Sequence, residues 1–364
     1  MPEPITVLVS AIGGGGHGEQ ILKALRAAVP GSYRIIGGDI SPLCPQFSMV
    51  DVPVLLPRAS SPEYIDALLA LCARYNVQAV FHGCEPDLQA MSRERQRFAD
   101  IGVLLPINPA SVIDICMDKV RTAEFLSRQG FKTPRYQVLG ADSDLSAVDY
   151  FPVVVKPSRD SGGSQNTFIA QTPRELEILA EYVRSTANTF IIQEYVGDFR
   201  SEFTVGVLHD LDGNFLNSIA VHRALSGGLN VRMSVPNITG RKSLGEKLVI
   251  SSGVSHGFVD KFPEITGPCE AIAKALGARG AINIQCRMTD EGLYIFEINP
   301  RFSGTTSLRA LVGYNEPDLL LRHHLRDERL EPRFSYGKGW VIRTLSETLL
   351  DGTDVPNWQT LLSP

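Results

Sequence analysis

The sharpest chemical signal in the sequence is a pair of segments flanking Asp290-Glu291-Gly292. Before the turn, Asn283, Gln285 and Arg287 alternate with Ile282, Ile284, Cys286 and Met288; after it, Ile295, Glu297 and Asn299 alternate with Tyr294, Phe296 and Ile298. This period of two predicts two strands, each with a polar face. A three-residue loop with Gly292 in the left-handed conformation sets Gln285 opposite Glu297 and Asn283 opposite Asn299. Directly opposed residues have Cβ atoms about 4.5 to 5.5 Å apart, so Gln285, Glu297 and Asn299 offer three oxygen ligands on one face. One carboxylate and two amides suit Mg2+ (or Mn2+), which completes an octahedron with water and phosphate oxygens. A solvated polar face is the competing reading. Beyond Pro300 the chain turns, and the permanently charged guanidinium of Arg301 is in place to reach a phosphate held by the metal.

A second constellation is Val153-Val154-Val155-Lys156 followed by Pro157-Ser158-Arg159-Asp160-Ser161-Gly162-Gly163-Ser164. A lysine closing a buried strand supplies charge for phosphates, and a loop of serines and glycines supplies backbone donors that can close over them. The segment is not a Walker A sequence, and an ordinary exposed turn competes. A third is the apolar strand ending in Gln193-Glu194-Tyr195-Val196-Gly197, whose connector can offer backbone donors and acceptors to an adenine edge, with Glu202 beyond it to accept from ribose hydroxyls. Arg223 and Arg232, in a glycine-broken basic stretch, are candidates for gripping a substrate carboxylate or the transferred phosphoryl group. Glu85 and Asp87 follow a strand end and can neutralise a substrate ammonium, with a helix N-terminal role as the alternative. His256, His323 and His324 lack partners at metal spacing.

Positioning these groups requires two kinds of sheet. Apolar strands over 5–10, 34–36 and 77–82 alternate with helical patterns over 19–28 and 62–75, which predicts a doubly wound α/β domain ending near residue 110, with a weaker unit at 103–105. A helix over 118–129 follows. Beyond Pro152 the texture changes to short β-branched strands over 153–156, 167–170, 189–194, 203–208 and 215–221, with helices over 173–184 and 263–276. That pattern predicts largely antiparallel sheet.

Composition fits a packed protein. Of 364 residues 43% are hydrophobic and 21% charged, and a net charge of -5 gives no bulk attraction to nucleic acid or an anionic membrane. The six cysteines form no CxxC pair and read as buried thiols rather than a zinc cluster or disulfide framework. No apolar run reaches membrane-spanning length, and the start of the chain has no basic, leader-like segment, so a cytoplasmic location is expected.

Taken in order, these residues resemble the ATP-grasp superfamily, over roughly residues 118–326. The likeness is to one half of the carbamoyl phosphate synthetase large subunit and to stand-alone carboxylate-amine ligases. The resemblance implies a Rossmann-like domain at 1–110, a small grasp subdomain at 111–195 and a large one at 196–364. It implies that Lys119 and Lys156 bind phosphates and that the loop from Ser158 through Ser161, Gly162, Gly163 and Ser164 covers them. Glu194 and Val196 would form the adenine hinge, and Glu202 would hold the ribose. Gln285, Glu297 and Asn299 would hold magnesium, and Arg301 would stabilise phosphoryl transfer. Gly304 stands where the synthetase carries a second arginine, which counts against carbamate or bicarbonate as acceptor.

The rival signal is Gly13, Gly15 and Gly18, which satisfy GxGxxG between a strand and a helix, with Asp39 ending the next strand about 20 residues on. A nucleotide-binding protein without turnover is a further alternative, against which the intact Lys156, Glu297, Asn299 and Arg301 set argues. Three active functions are therefore compatible with the sequence. The first is an ATP- and magnesium-dependent ligase that couples a small-molecule carboxylate to an amine through an acyl phosphate, binding neither nucleic acid nor membrane and compatible with a homodimer. The others are synthetase-like phosphorylation of a small carboxylate or carbamate, and an NAD-linked oxidoreductase.

Overall fold

The structure is a computed structural model that describes residues 3–140, 143–159, 164–185, 189–349 and 355–362. Strands β1 (Ile5–Val9), β2 (Tyr33–Asp39), β3 (Val52–Leu55) and β4 (Ala79–Phe81) form a parallel sheet in the order β3-β2-β1-β4. Four of the five β1 residues are buried, as a parallel strand covered on both faces requires. The unit expected at 103–105 is only a bridge between Ala79 and Leu104.

A second, antiparallel sheet follows. It contains β5 (Tyr136–Leu139), β6 (Val153–Pro157), β7 (Phe168–Ala170) and β8 (Phe190–Glu194) in the order β5-β8-β6-β7. Helix Pro173–Arg184 packs Leu176, Ala180 and Val183 onto Val153 and Val155. The third sheet holds β9 (Glu202–His209) and β10 (Phe215–Arg223); β11 (Val231–Pro236) and β12 (Lys247–Ser251) pair separately as a ribbon. Joining β9 and β10 are β13 (Gly257–Asp260), β14 (Ala281–Thr289), β15 (Gly292–Asn299) and β16 (Gly339–Val341), giving the order β15-β14-β9-β10-β13-β16. Helix Pro263–Leu276 buries Ile265, Cys269 and Ile272 against Val205 and Val207 of this sheet.

The β14–β15 turn differs from expectation in an instructive way. Thr289 pairs with Gly292, so the loop is the two residues Asp290 and Glu291 rather than three. Gln285 nevertheless faces Glu297 and Asn283 faces Asn299, because a bulge leaves Phe296 unpaired and restores the missing residue.

The first domain shares its core with the large sheet: Ile5, Val7 and Ile21 join Leu208, Ile219 and Tyr314 in one cluster. Asn315 Nδ2 donates to the Ala24 carbonyl at 2.7 Å, and Tyr33 Oη to Asp318 Oδ1 at 2.6 Å. The helix Trp358–Leu362, expected with the large subdomain, instead sets Trp358 and Leu361 on the first domain's core, and Leu55 N donates to the Pro356 carbonyl at 2.9 Å. All six cysteines are free; five are buried and Cys84 is half-buried. Among the described residues no helix is long and apolar enough to cross a membrane.

Candidate functional site

A cavity of about 660 Å³ lies between the second sheet and the β14–β15 hairpin. Lys119, Lys156, Gln285 and Glu297 line one end, and Glu194, Tyr195 and Val196 the other.

At the first end, Lys156 on β6 is buried and donates to the Phe296 carbonyl at 3.2 Å, so the bulge places an acceptor over the lysine. Burial pushes its ammonium down to about 8; Glu297 opposes that shift and Lys119 adds to it. Burial also pushes the Glu297 carboxyl up, but Lys119 and Lys156, with the Asn299 hydrogen bond, outweigh it and hold the group ionised below its usual range. Gln285 Nε2 and Asn299 Nδ2 both donate to Glu297 Oε1, at 3.3 and 3.0 Å. The two amides anticipated as ligands thus converge on the carboxylate of the third. Among the described residues no group of three His, Cys, Asp or Glu is assembled to hold a metal. One carboxylate with two amides fits a hard cation that brings waters and phosphate oxygens of its own.

Lys119 opens the helix Lys119–Arg128, capped by Asp118, which accepts from Val120 N at 2.9 Å and Arg121 N at 3.3 Å. Asp118 also takes Ser158 Oγ at 2.6 Å and Arg159 Nε at 2.9 Å, so these side chains, expected over the phosphates, are anchored to the helix cap. Ser164 Oγ donates to the Ser251 carbonyl at 2.9 Å. Ser161, Gly162 and Gly163 lie outside the described residues.

At the other end, the Val196 amide donates to no group among the described residues, which leaves a backbone donor for an adenine edge. Val196 O accepts from Arg287 at 3.2 Å. The Glu194 carboxylate is held by Arg241 at 3.2 Å and Arg135 at 3.3 Å. Tyr195 is buried and its hydroxyl bonds the Val249 backbone, accepting from N at 2.7 Å and donating to O at 3.2 Å.

Two groups expected on ligands are already engaged by the protein. Glu202, expected to hold a ribose, lines this cavity but is buried with both oxygens in ion pairs, Oε1 with Arg223 at 2.8 Å and Oε2 with Arg287 at 2.9 Å. Burial pushes its carboxyl up, but the two guanidinium groups win and hold it below its usual range. Arg223, expected on substrate, borders the second cavity described below and is likewise engaged: beyond Glu202 it donates to Ser251 Oγ at 2.7 Å and the Ser252 carbonyl at 2.8 Å. Arg232 is exposed on β11 and lines none of the cavities described here. Arg287 and Phe296 carry structural weight that the sequence reading did not assign. Arg287 shares the polar strand face of Gln285, a signal in the alternation itself, and its guanidinium lies 4.5 Å from the centre of the Tyr195 ring.

A second cavity of about 1000 Å³ opens between the first domain and the large sheet, lined by Gly14, Gly15, His17, Asn299 and Arg301. Gln285 and Glu297 face both cavities. Arg301 pairs with Glu85 at 2.9 Å and donates to Asn299 Oδ1 at 3.0 Å, so Glu85 serves the arginine rather than a substrate ammonium. The His17 and His82 rings stand 5.1 Å apart; burial and the nearby Arg301 push both imidazoles down, His82 to about 3. A Cβ on Gly304 would meet the Gly253 carbonyl at 2.6 Å, so the backbone itself excludes a side chain there. Arg343, which donates to the Gly304 carbonyl and, at 2.8 Å, to the Ser255 carbonyl, brings a guanidinium to that edge from a distant segment.

The glycine run and Asp39 are tied to each other. Asp39 Oδ2 accepts from Gly13 N at 2.9 Å and Oδ1 from Ser41 N at 3.0 Å, so each oxygen already has one backbone donor. At the helix start where a pyrophosphate would rest, Glu19 Oε2 accepts from Gly15 N at 3.0 Å and places negative charge instead.

Fold and site together define an ATP-grasp architecture behind a Rossmann-like domain. Residues 10–106 match the family model described as PylC-like, N-terminal domain, and residues 245–343 match that described as ATP-grasp in the biosynthetic pathway with Ter operon. The carbamoyl phosphate synthase large chain of Streptomyces avermitilis is 28% identical over 216 residues, covering 58% of this chain and 18% of that one. That of Thermotoga maritima is 28% identical over 236 residues, covering 57% and 19%. The chain therefore spans about a fifth of the length of these curated relatives. Among solved structures, a biotin carboxylase–nucleotide complex from Campylobacter jejuni superposes with a TM-score of 0.63 at 16% identity, covering 92% of this chain and 73% of that one. An L-amino acid ligase from Bacillus licheniformis gives 0.62 at 17% identity, covering 90% and 75%.

Proposed function

We propose that the protein is an ATP-dependent ligase that activates a carboxylate as an acyl phosphate and couples it to an amine, releasing ADP and phosphate. The observation that carries this is the placement of Glu297 and Gln285 on the wall shared by the two cavities, so that the phosphate end of one meets the open space of the other. A carboxylate oxygen of the acid attacks the γ-phosphorus and ADP departs. The amine nitrogen then attacks the acyl carbon, phosphate leaves and the nitrogen gives up a proton. Such transfer needs positioning and charge neutralisation more than covalent help from the protein. Lys119, Lys156 and Arg301 supply the charge. Glu297, Gln285 and Asn299 would hold Mg2+ or Mn2+, which when bound neutralises phosphate oxygens.

The reading is supported by the L-amino acid ligase likeness and by the match to an ATP-grasp model. It takes the division at residues 110 and 195 as the working domain layout, small-molecule acid and amine as partners, a cytoplasmic location, and a homodimer as its assembly. Synthetase-like phosphorylation remains the second reading, favoured by the 28% identity to carbamoyl phosphate synthase large chains. Screening pairs of amino acids and other carboxylates for ADP release separates the two. ADP that requires both an acid and an amine identifies the ligase, and ADP from bicarbonate or carbamate alone identifies the second reading. Release of AMP and pyrophosphate overturns both.

A further inference from the structure

The glycine run and Asp39 are left over from the ligase reading, and they border a third cavity of about 1220 Å³ in the first domain. It lies outside the carboxyl ends of the parallel strands, whose order reverses between β1 and β4, the place where open α/β sheets bind ligands. Its carboxylates already have partners in the chain: Asp39 as described, and Asp87 Oδ2, which accepts from Ser10 Oγ at 2.7 Å and Gly83 N at 3.2 Å. Arg58 on the wall forms no ion pair among the described residues. Tyr64 is 2% exposed, and its hydroxyl makes no hydrogen bond although Ser10 and Asp87 lie beside it. Ile40 and Leu43, 52% and 66% exposed, leave apolar surface uncovered at the opening. Gly14 borders both this cavity and the interdomain one; its φ is 72° and nothing lies within 4 Å of where a Cβ would stand. Gly14 thus stands between the two spaces with no side chain of its own.

We propose that this cavity binds a small organic anion with an apolar body, its charge on Arg58, a polar group on Tyr64 and its body against Ile40 and Leu43. In the ligase reaction it holds the body of one organic substrate, whose reacting group crosses Gly14 toward Arg301. That second clause rests on the ligase reading; the first does not.

Anilinonaphthalene sulfonate, an anion with an aromatic body, is the probe. It is titrated by fluorescence against the full chain with saturating Mg-ADP, so that the nucleotide cavity is filled. Saturable binding is expected, weakened about tenfold by Arg58→Glu, the loss of one charge-assisted contact, and similarly by Leu43→Asp. Both positions are exposed, and the thermal shift given by Mg-ADP should be the same in both variants. No saturable binding, or equal binding in the wild type and both variants, overturns the site. With an acid and amine pair that supports ADP release, Arg58→Glu should raise KM for one organic substrate about tenfold and leave KM for ATP unchanged. Unchanged KM for both organic substrates overturns the substrate assignment. Absence of any productive pair overturns the ligase reading and with it the substrate clause, while the dye titration still decides the site.

Discussion

Arg301 and Glu85 form an ion pair at 2.9 Å between the hairpin that carries the metal-ligand candidates and the first domain. With Asn299 Oδ1 and the Phe302 carbonyl as its other acceptors, the guanidinium has fixed partners on both sides of the interdomain cavity. Glu85 is therefore a positioning residue, and the first domain aims an arginine carried on the loop that follows β15.

Replacing Glu85 with glutamine keeps its size and removes its charge. Turnover should fall about tenfold, since an arginine off by a fraction of an ångström loses transition-state stabilisation, while KM for ATP stays put. Steady-state kinetics decides: a variant with wild-type kcat shows that Arg301 needs no help from the first domain.

Glu297→Ala deletes the one carboxylate that, among the described residues, faces both cavities, and no apolar core volume. Turnover should drop by about two orders of magnitude or more with the melting temperature within a few degrees of wild type. Near-normal turnover at saturating magnesium would remove Glu297 from the metal site.

Glu202 separates structure from ribose binding. Its two oxygens neutralise two buried guanidinium groups, so Glu202→Gln leaves net positive charge uncompensated at buried positions. Breaking such a pair costs about 3 to 5 kcal/mol. Denaturant unfolding without nucleotide should show that loss. A variant of wild-type stability with a raised KM for ATP would instead restore the ribose role.

The ligand face was legible in the sequence because alternation survives whatever the turn does: Gln285, Glu297 and Asn299 fall on the polar positions of strands whose alternate residues are apolar. The route to it was not. The two-residue turn and the bulge at Phe296 compensate each other, and only the pairing of β14 with both β9 and β15 reveals them. Glu202 reads locally as a strand-end acid, and its partners Arg223 and Arg287 lie 21 and 85 residues away. Local pattern cannot distinguish an acid waiting for a sugar from one already paired. The Arg301–Glu85 pair spans 216 residues, and neither flank hints at the other.

Lys156 ties nucleotide binding to pH. Its ammonium titrates near 8 in the folded, ligand-free protein and near 10.5 when exposed, because burial outweighs the attraction of Glu297. Between those values the unfolded chain holds more protons, so stability should rise with pH across that window. Below pH 8 the whole cost of burying the charge is present, at most about 3 kcal/mol. A bound polyphosphate reverses the preference, since it requires the charged form. Mg-ADP affinity should therefore weaken as pH climbs from 7 to 9, with proton uptake on binding in the upper half of that range. Lys156→Met should raise the melting temperature of the nucleotide-free protein at pH 7 and abolish both the affinity's pH dependence and most of the affinity. Calorimetric titration in buffers of different ionisation enthalpy measures the uptake directly. A flat affinity profile, together with a Lys156→Met variant that melts lower than wild type, would show that the lysine is a structural cation and not a phosphate ligand.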